Sequence, residues 1–442
     1  MGGFAGAGKT VVLKAFVEYV RRYHRSANSC FVTAPTAMAA QLIGGVTIHS
    51  LLKFFPGQTA FKRLNEGDLH LLYEKLRHMK VLVIDEVSLL TCVMLAQIDM
   101  RLREIFGNDH PFGGISVVLF GDLLQLPAVS TLREKKIING VEKEVTVPQC
   151  IYDVIPLRYQ ALYDTFTPNR KYVRLLDLFE FDELTENVRT PCKIESEILE
   201  DIRNGVESEK IKDYLYSKCR MDGNQPSDIY RELRLLRADD PNGDYMILAA
   251  RNEKVNLIND WIADNSTRSI EIEPVRECPS CNTYLRYGKK KTLRLVLGGR
   301  VMISDNHTSD RSLANGVTGR LIKVTATHVV MERTDNRKIV HLSRFPYKDG
   351  SKPGQGVWYQ FPVVMAEAIT VHKSQGMTFD GLVLDSEGMH TPGSQYTAMS
   401  RTRSLRNVRI TNVERLKYRA SRCAKLALDW MRRRTAARRA AI

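Results

Sequence analysis

Short, nearly continuous apolar runs alternate with stretches of helical periodicity twice along the chain, which is the pattern of two α/β units. The runs are residues 30–34, 81–85 and 116–122 in the first half, and 245–250, 363–370, 381–385 and 407–411 in the second. Because they lack the alternation of half-exposed strands, we predict that they are central strands of parallel sheets.

The pattern also predicts domain boundaries. Between residues 313 and 365, glycines and prolines punctuate short β-type runs, which favours a small barrel inserted into the second unit. We expect a first domain over residues 1–190, a helical connector over 191–243, a second domain over 244–412 with the barrel at about 320–362, and a basic helix and tail over 413–442.

Composition narrows the class of protein. The chain has 442 residues, of which 43% are hydrophobic and 26% charged, as in soluble globular proteins. Its eight cysteines are scattered, which favours reduced thiols inside the cell over a disulfide framework. No apolar run reaches the roughly 18 residues of a membrane span, and no signal peptide is visible. We expect an intracellular protein without a membrane partner, nuclear if its source is eukaryotic or viral and cytoplasmic otherwise.

Positive charge is concentrated near the end of the sequence. Residues 401–442 contain 14 Lys and Arg against two acids, and so account for most of the net charge of +15. This segment is typical of a phosphate-binding tail, and equally of a solvated helix. Its apolar residues at steps of four and three predict a helix that docks on the second domain through Leu416, Ala420, Cys423, Ala427 and Trp430. We expect truncation after Met431 to leave stability nearly unchanged and to weaken the salt dependence of DNA binding.

Residues 3–10, GFAGAGKT, match the phosphate loop of nucleotide-binding domains. Glycines at such positions let backbone N–H groups wrap a phosphate, the lysine reaches the β and γ phosphates, and the threonine hydroxyl ligates Mg²⁺. The candidate nucleotide-binding residues are Gly3, Gly6, Gly8, Lys9 and Thr10. The alternative is a chance match at a tight turn into a helix, but the helical stretch that follows directly favours nucleotide binding.

Two further elements supply hydrolytic chemistry. Asp85 and Glu86 follow the apolar run 81–85, so that Asp85 would hold Mg²⁺ and Glu86 would deprotonate the attacking water. The alternative is that both carboxylates merely favour the start of a helix. Gln125, in LFGDLLQLPAV, follows another apolar run and could sense the γ-phosphate.

Together these motifs resemble the PIF-type DNA helicases of superfamily one, which share their core with RecD. The resemblance runs through GFAGAGKT, TAPTAMAAQLIGGVTIHS (33–50), LVIDEVSLL, FGDLLQLPAV, LTENVRT (184–190), ITVHKSQGMTFD (369–380) and QYTAMSRTRSL (395–405), as motifs I, Ia, II, III, IV, V and VI. It implies two RecA-like domains with a wedge and an SH3-like barrel inserted, ATP and Mg²⁺ in the cleft, and movement from 5′ to 3′ on single-stranded DNA. We expect a monomer that acts on single strands and at their junctions with duplexes.

The resemblance also implies residue roles. Arg189 and Arg401 would reach the γ-phosphate from the opposite domain, although either could instead form an ordinary ion pair. The implied DNA contacts are Pro35, Thr36, His49, His372, Lys373, Ser374 and Gln375. The two histidines could equally brace loops. Residues 51–75 would form the wedge, where Phe54, Phe55 and Phe61 either stack on bases or pack the subdomain.

Two features of the sequence allow more than one interpretation. Family members carry a strand and an adenine-reading glutamine motif before the phosphate loop, and neither precedes Gly3 here, so we expect a truncated or misassigned start with an exposed sheet edge. Cys278 and Cys281 have the spacing of a zinc knuckle, or belong to a loop with two free thiols. The favoured function is an ATP-dependent helicase of repair, recombination or replication. The alternative is an N-terminally truncated or remnant nucleic-acid-binding protein that hydrolyses ATP inefficiently, with a virus or a mobile element as a candidate source.

Overall fold

The computed structural model describes residues 1–55, 61–129, 133–138, 141–146, 149–155, 174–275, 286–287, 292–306, 310, 313–348 and 357–440. These residues form two compact units: unit 1 comprises Met1–Asp213, His390–Ser404 and Lys417–Ile442, and unit 2 comprises Tyr214–Met389 and Leu405–Leu416. Within this part of the chain, no helix is both long enough and apolar enough to cross a bilayer. Cys278 and Cys281 lie outside the described residues.

The described helices are α1 (Lys9–Tyr23), α2 (Ala37–Leu42), α3 (Ile48–Leu52), α4 (Glu66–Leu76), α5 (Cys92–Phe106), α6 (Lys193–Asn204), α7 (Glu209–Cys219), α8 (Pro226–Asp239), α9 (Asn252–Asp264), α10 (Ser394–Met399) and α11 (Arg422–Ala440). The described strands are β1 (Gly2–Gly3), β2 (Cys30–Ala34), β3 (Val46–Thr47), β4 (Val81–Ile84), β5 (Ser116–Leu119), β6 (Arg133–Ile138), β7 (Val141–Thr146), β8 (Glu183–Leu184), β9 (Tyr245–Ala249), β10 (Ser269–Ile272), β11 (Arg286–Tyr287), β12 (Leu293–Val296), β13 (Arg300–Ile303), β14 (Thr318–Val324), β15 (His328–Arg333), β16 (Ile339–Ser343), β17 (Phe345–Lys348), β18 (Val357–Gln360), β19 (Val363–Met365), β20 (Ala368–Thr370), β21 (Gly381–Leu384) and β22 (Val408–Ile410).

Unit 1 is built on a parallel sheet with the strand order β3-β2-β4-β5. Cys30 of β2 lies opposite Val81 of β4, which in turn lies opposite Ser116 of β5. All four residues of β4 are buried, as its continuous apolar sequence predicts. The prediction that β5 is central was wrong: it closes this sheet in the described residues and is partly exposed. An apolar run does not reveal whether a strand has one neighbour or two.

A two-residue strand, Gly2–Gly3, lies at the entry to the phosphate loop. Gly2 and Gly3 of β1 pair in parallel with Glu183 and Leu184 of β8. The Met1 ammonium group donates a hydrogen bond to the Leu119 carbonyl at the end of β5 (2.8 Å). A groove of about 390 Å³ with apolar side chains lies beside these residues. Gly2 and Gly3 thus form a two-residue strand at the entry to the phosphate loop, and Gly3 is already part of the motif.

The terminal helix α11 packs in the core of unit 1 and not on the second domain. Its buried residues are Ala424, Leu428, Met431 and Thr435, and the first three join the same apolar cluster as α5. The predicted stripe was one residue out of register, since Cys423 is exposed and Trp430 is 36% exposed. Both registers have helical spacing, and the register that buries Leu428 and Met431 removes more aliphatic surface from water.

The segment predicted as a wedge forms part of the same core. Phe54 and Phe61 are 5% and 8% exposed, and the Arg101 guanidinium lies 5.3 Å and 4.9 Å from their ring centres. These two rings pack the subdomain, which is the second of the two alternatives that the sequence left open. Phe55 is 70% exposed. Residues 56–60 lie outside the described part of the chain.

Unit 2 contains a parallel sheet with the order β20-β9-β21-β22 and an antiparallel sheet with the order β16-β15-β14-β13-β19. The antiparallel sheet includes β13 and β19, and therefore extends beyond the range 320–362 expected for the barrel. The run 363–370 is two strands and not one, because β19 pairs with β13 and β20 pairs with β9. Between them, the buried Glu367 carboxylate accepts hydrogen bonds from Arg237 (2.6 Å) and from the Arg300 backbone N–H (2.9 Å).

Candidate nucleotide site

The phosphate loop leads directly into α1. The Lys9 ammonium group folds back and donates hydrogen bonds to the carbonyls of Gly3 (2.8 Å) and Phe4 (2.7 Å). Burial lowers the pKa of Lys9, although the carboxylates of Asp122, Glu86 and Asp85 oppose this effect. A half-buried ammonium group that is bonded to two neutral carbonyls is poised to exchange them for an anion, since a charged partner binds more strongly.

Glycine is required at Gly6 and Gly8 by the backbone. Their φ angles of 87° and 82° lie in the left-handed region that other residues rarely adopt. A Cβ atom on Gly6 would lie 2.5 Å from Arg189 Cβ and 2.7 Å from Asn187 Oδ1. Motif IV therefore packs directly on the phosphate loop, and the Val188 and Arg189 N–H groups both donate to the Gly6 carbonyl (3.0 and 3.1 Å).

Asp85 and Glu86 follow β4, and their carboxylates lie close enough to Lys9 to oppose the lowering of its pKa. Asp85 is 9% exposed, and burial, followed by the neighbouring Glu86 carboxylate, raises its pKa to about 7. The Glu86 N–H donates to Asp85 Oδ1 at 2.8 Å. Glu86 itself has φ 54° and ψ 50°, a left-handed conformation that costs about 1–2 kcal/mol for a residue with a side chain. Such strain is typical of functional sites.

The predicted γ-phosphate sensors lie together in unit 1. Arg401 is 2% exposed, and its Nη2 donates to Gln125 Oε1 at 3.4 Å. Arg189 Nη1 donates to the Ser400 carbonyl at 2.6 Å. Burial lowers the pKa of Arg189 to about 10, with Arg401 as a second cause, and burial also lowers the pKa of Arg401. The buried Arg401 and the partly exposed Arg189 thus place two guanidinium groups beside the phosphate loop, an arrangement that suits a polyanion.

The domain boundaries expected from the sequence place Arg401 and the phosphate loop in different domains, whereas the structure places both in unit 1. Residues 390–404, which carry α10 and Arg401, belong to unit 1. They are held there by the hydrogen bond from the Leu126 N–H to the Thr397 hydroxyl (2.8 Å) and by Gly393, where a Cβ atom would lie 2.6 Å from the Leu124 carbonyl oxygen. In this structure motif VI packs on motif III within one unit.

Three buried residues beside the loop were missed by sequence reasoning: Asp122, Arg203 and Tyr396. Asp122 directly follows the FG of motif III, and Tyr396 lies within motif VI, so both stood in motifs that had been singled out. Arg203 lies on α6 and gave no signal, because an arginine on an amphipathic helix is ordinarily solvated.

The predicted DNA contacts in unit 1 lie around α2 and α3. Thr36 is exposed and caps α2, since its hydroxyl accepts a hydrogen bond from the Ala39 N–H at 3.3 Å. His49 is half-buried, with its ring edge toward Phe54 at 6.4 Å, and burial lowers its pKa. Pro35 is half-buried between β2 and α2.

The remaining predicted DNA contacts lie in unit 2, in the turns after β20. Ser374 is fully buried, and its hydroxyl donates to the Val371 carbonyl at 2.8 Å. Gln375 is 3% exposed, whereas Lys373 is exposed and His372 is half-buried. Among these four side chains, Lys373 is therefore the most accessible to a phosphate backbone.

Comparisons with known proteins find relatives similar in sequence and solved structures similar in fold. A family model described as PIF1-like helicase matches residues 1–157. The ATP-dependent DNA helicase Pif1 of Bdellovibrio bacteriovorus is 25% identical over 422 residues, which cover 92% of this chain and 82% of that relative. The crystal structure of the Bacteroides Pif1 helicase in complex with ADP-AlF3 and single-stranded DNA is 26% identical, with a TM-score of 0.66, and the match covers 97% of this chain and 91% of the other. The chain is therefore similar to known Pif1 helicases over nearly its whole length.

Motifs I, Ia, II and III all lie within the residues that the PIF1-like helicase family model matches. The mixed α/β fold, with one parallel sheet in each unit, matches the fold of solved Pif1 helicases, which have RecA-like domains. The ATP-dependent DNA helicase PIF1 of Xenopus laevis is 25% identical over 426 residues, and this chain spans 58% of its length.

Proposed function

We propose that the chain is an ATP-dependent DNA helicase that moves from 5′ to 3′ along single-stranded DNA and opens duplexes during repair, recombination or replication. The observation that carries this proposal is the convergence of Lys9, Glu86 and Arg401 on the phosphate loop in unit 1. Two cations and a strained carboxylate at one loop suit phosphoryl transfer to water, in which positioning and charge stabilisation dominate.

The residues have separate roles in this reaction. Lys9 exchanges its two carbonyl partners for the β and γ phosphates, and Glu86 accepts the proton of the attacking water. Gln125 senses the γ-phosphate, while Arg401 and Arg189 stabilise the charge that develops on it.

Magnesium fits the donor set, because the Thr10 hydroxyl is exposed at the start of α1 and Asp85 supplies a carboxylate. Burial and the neighbouring Glu86 carboxylate raise the pKa of Asp85, and a cation beside it would oppose both effects. When bound there, the ion would neutralise phosphate charge.

We further propose that one copy of the chain binds DNA through Pro35, Thr36 and His49 in unit 1 and through His372, Lys373, Ser374 and Gln375 in unit 2. Exposed hydroxyl and ammonium groups such as those of Thr36 and Lys373 suit contacts with the phosphate backbone that do not depend on sequence. The buried Ser374 would act by holding the shape of its loop.

Substitution of the catalytic residues tests the proposed function. We expect Lys9→Ala and Glu86→Gln to lower DNA-stimulated ATP turnover at least about 100-fold, because each removes a group that acts in the transition state. Single-strand affinity without nucleotide should stay within about twofold. Lys14→Ala and Glu18→Gln, which alter exposed residues of α1, serve as matched controls.

Steady-state phosphate release and fluorescence anisotropy of a labelled oligonucleotide measure the two properties. Unchanged turnover in Glu86→Gln would remove Glu86 as the base. An unaltered chain that binds DNA and hydrolyses no ATP would instead support the nucleic-acid-binding remnant.

A further inference from the structure

Three polar side chains beside the phosphate loop have no part in the hydrolysis chemistry, yet they are among the most buried in unit 1. Asp122, Tyr396 and Arg203 are 1%, 2% and 3% exposed. They come from the loop after β5, from α10 and from α6. Burying charged and polar groups is costly unless each of them has a partner, so we describe the partner of each in turn.

The first contact joins a carboxylate to a guanidinium group. Arg203 Nε and Nη2 donate three hydrogen bonds to the two Asp122 oxygens at 2.8–3.2 Å. Burial alone would raise the pKa of Asp122, but Arg203 overcomes this effect, and the pKa is lowered. Asp122 is therefore ionised, and its oxygens can only accept hydrogen bonds.

The second contact fixes the direction of the Tyr396 hydroxyl. Its oxygen lies 3.0 Å from Asp122 Oδ2 and 2.8 Å from the Ala5 nitrogen. Because Asp122 can only accept, the hydroxyl donates its hydrogen to Asp122, and a lone pair remains for the Ala5 N–H. Ala5 belongs to the phosphate loop and is 5% exposed, so this amide would otherwise be a buried donor.

A third contact holds the preceding residue of the loop. The Arg203 guanidinium lies 4.3 Å from the centre of the Phe4 ring, within the range of a cation–π interaction. Phe4 also supplies one of the two carbonyls that hold Lys9. Two successive loop residues are thus tied to one network, Phe4 through its ring and Ala5 through its amide.

We propose that Tyr396, Asp122 and Arg203 are positioning residues that hold the phosphate loop in its nucleotide-binding shape, so that Tyr396 determines nucleotide affinity and not the rate of hydrolysis. This inference rests on the proposed function for the identity of the site. Tyr396 lies on α10, which leads to Arg401, so one short helix supports both the phosphate loop and the γ-phosphate sensor.

Tyr396→Phe tests the network, because it removes one hydroxyl and keeps the ring. We expect the Kd for ADP and the KM for ATP to rise about 5- to 50-fold, since the Ala5 amide loses its partner. The kcat should stay within about threefold, and the thermal midpoint should stay close to that of the unaltered chain. Tyr245→Phe is the matched control, because this buried tyrosine of unit 2 also bonds a carboxylate, Asp240 (3.4 Å).

Titration with a fluorescent ADP analogue measures affinity without hydrolysis, so the result is independent of helicase activity. Unchanged affinity in Tyr396→Phe, or a lower kcat at unchanged affinity, would overturn the proposal. Should Tyr396→Phe not fold, Arg203→Lys decides by the same titration, because it keeps the charge beside Asp122 and removes the flat face over Phe4.

A double-variant cycle separates a network from independent effects. If Asp122→Asn and Tyr396→Phe act through the same loop contact, the double variant should weaken ADP binding by no more than about the larger single effect. Affinity losses that multiply would show that the two residues act separately, and would contradict the proposed network.

Discussion

At the scale of single residues, two glycines with similar backbones differ in their surroundings. Gly6 and Gly107 both have left-handed φ angles, 87° and 62°. A Cβ atom on Gly107 would meet nothing within 4 Å, whereas on Gly6 it would overlap Arg189 and Asn187. The pair therefore separates the cost of backbone strain from the cost of a steric clash at the phosphate loop.

We predict that Gly107→Ala lowers the free energy of unfolding by about 1–2 kcal/mol and leaves ADP affinity unchanged, because only strain is added. Gly6→Ala should also displace Arg189 or the loop itself, and so weaken ADP binding more than about 10-fold. Chemical denaturation and nucleotide titration measure the two effects. Equal ADP affinities in the two variants would show that the loop accommodates the extra methyl group.

The sequence predicts the role of a residue when the evidence for that role lies in a few neighbouring residues. Lys9, Asp85 and Gln125 each stand in a motif of a few residues beside an apolar run, and the structure places all three around one loop. Arg203 could not be found in this way, because its partner Asp122 lies 81 residues away in the chain. A bidentate pair needs a spatial contact that neither periodicity nor spacing encodes.

At the scale of an element, α11 is a basic helix whose exposed arginines pair with one neighbouring segment of unit 1. Four of its arginines contact residues 177–183, an acidic segment that leads into β8. The contacts join Arg432 to Glu183 (2.5 Å), Arg438 to Glu180 (3.4 Å), Arg439 to Asp182 (2.7 Å) and the Arg434 guanidinium to the Asp177 carbonyl. The Phe181 N–H also donates to the Thr435 hydroxyl at 2.9 Å.

These contacts reverse the expectation from charge alone. We predict that truncation after Met431 lowers the free energy of unfolding by about 1–3 kcal/mol, since several partly exposed ion pairs and one partly buried hydrogen bond are lost. The salt dependence of single-strand affinity should barely change, because these arginines already have partners. Thermal unfolding and a salt series of anisotropy titrations measure both.

Glu180→Gln combined with Asp182→Asn is the matched control. It frees Arg438 and Arg439 without removing positive charge, and should make the salt dependence of binding steeper. A shallower dependence in the truncated chain would instead return the arginines to a role in DNA binding.

At the scale of the whole molecule, each unit is assembled from separate stretches of chain. Unit 1 takes three stretches and unit 2 takes two. The apolar runs predict both parallel sheets, but no local pattern predicts that residues 390–404 return to the first unit. That return depends on the packing of Gly393 and Thr397 against the loop of motif III.

Unwinding is a property of the whole chain, and its direction has a simple test. A helicase that moves from 5′ to 3′ must load on single strand that lies 5′ of the duplex. We predict that duplexes with a 5′ overhang are opened, and that blunt duplexes or those with only a 3′ overhang are not. Strand displacement of fluorescent duplexes measures this, with Lys9→Ala as the inactive control. Efficient opening from a 3′ overhang would contradict the proposed direction.

The hydrogen bond between Ala5 and Tyr396 also has a consequence for how the protein is made. Its two partners are 391 residues apart in the chain. At about 5–20 residues per second, a ribosome needs about 20–80 s to pass from one to the other. During that time the phosphate loop exists without the hydroxyl that holds it. The nascent chain therefore gains this contact only after the whole stretch from Ala5 to Tyr396 has been made, so the nucleotide site that we propose is completed long after its phosphate loop.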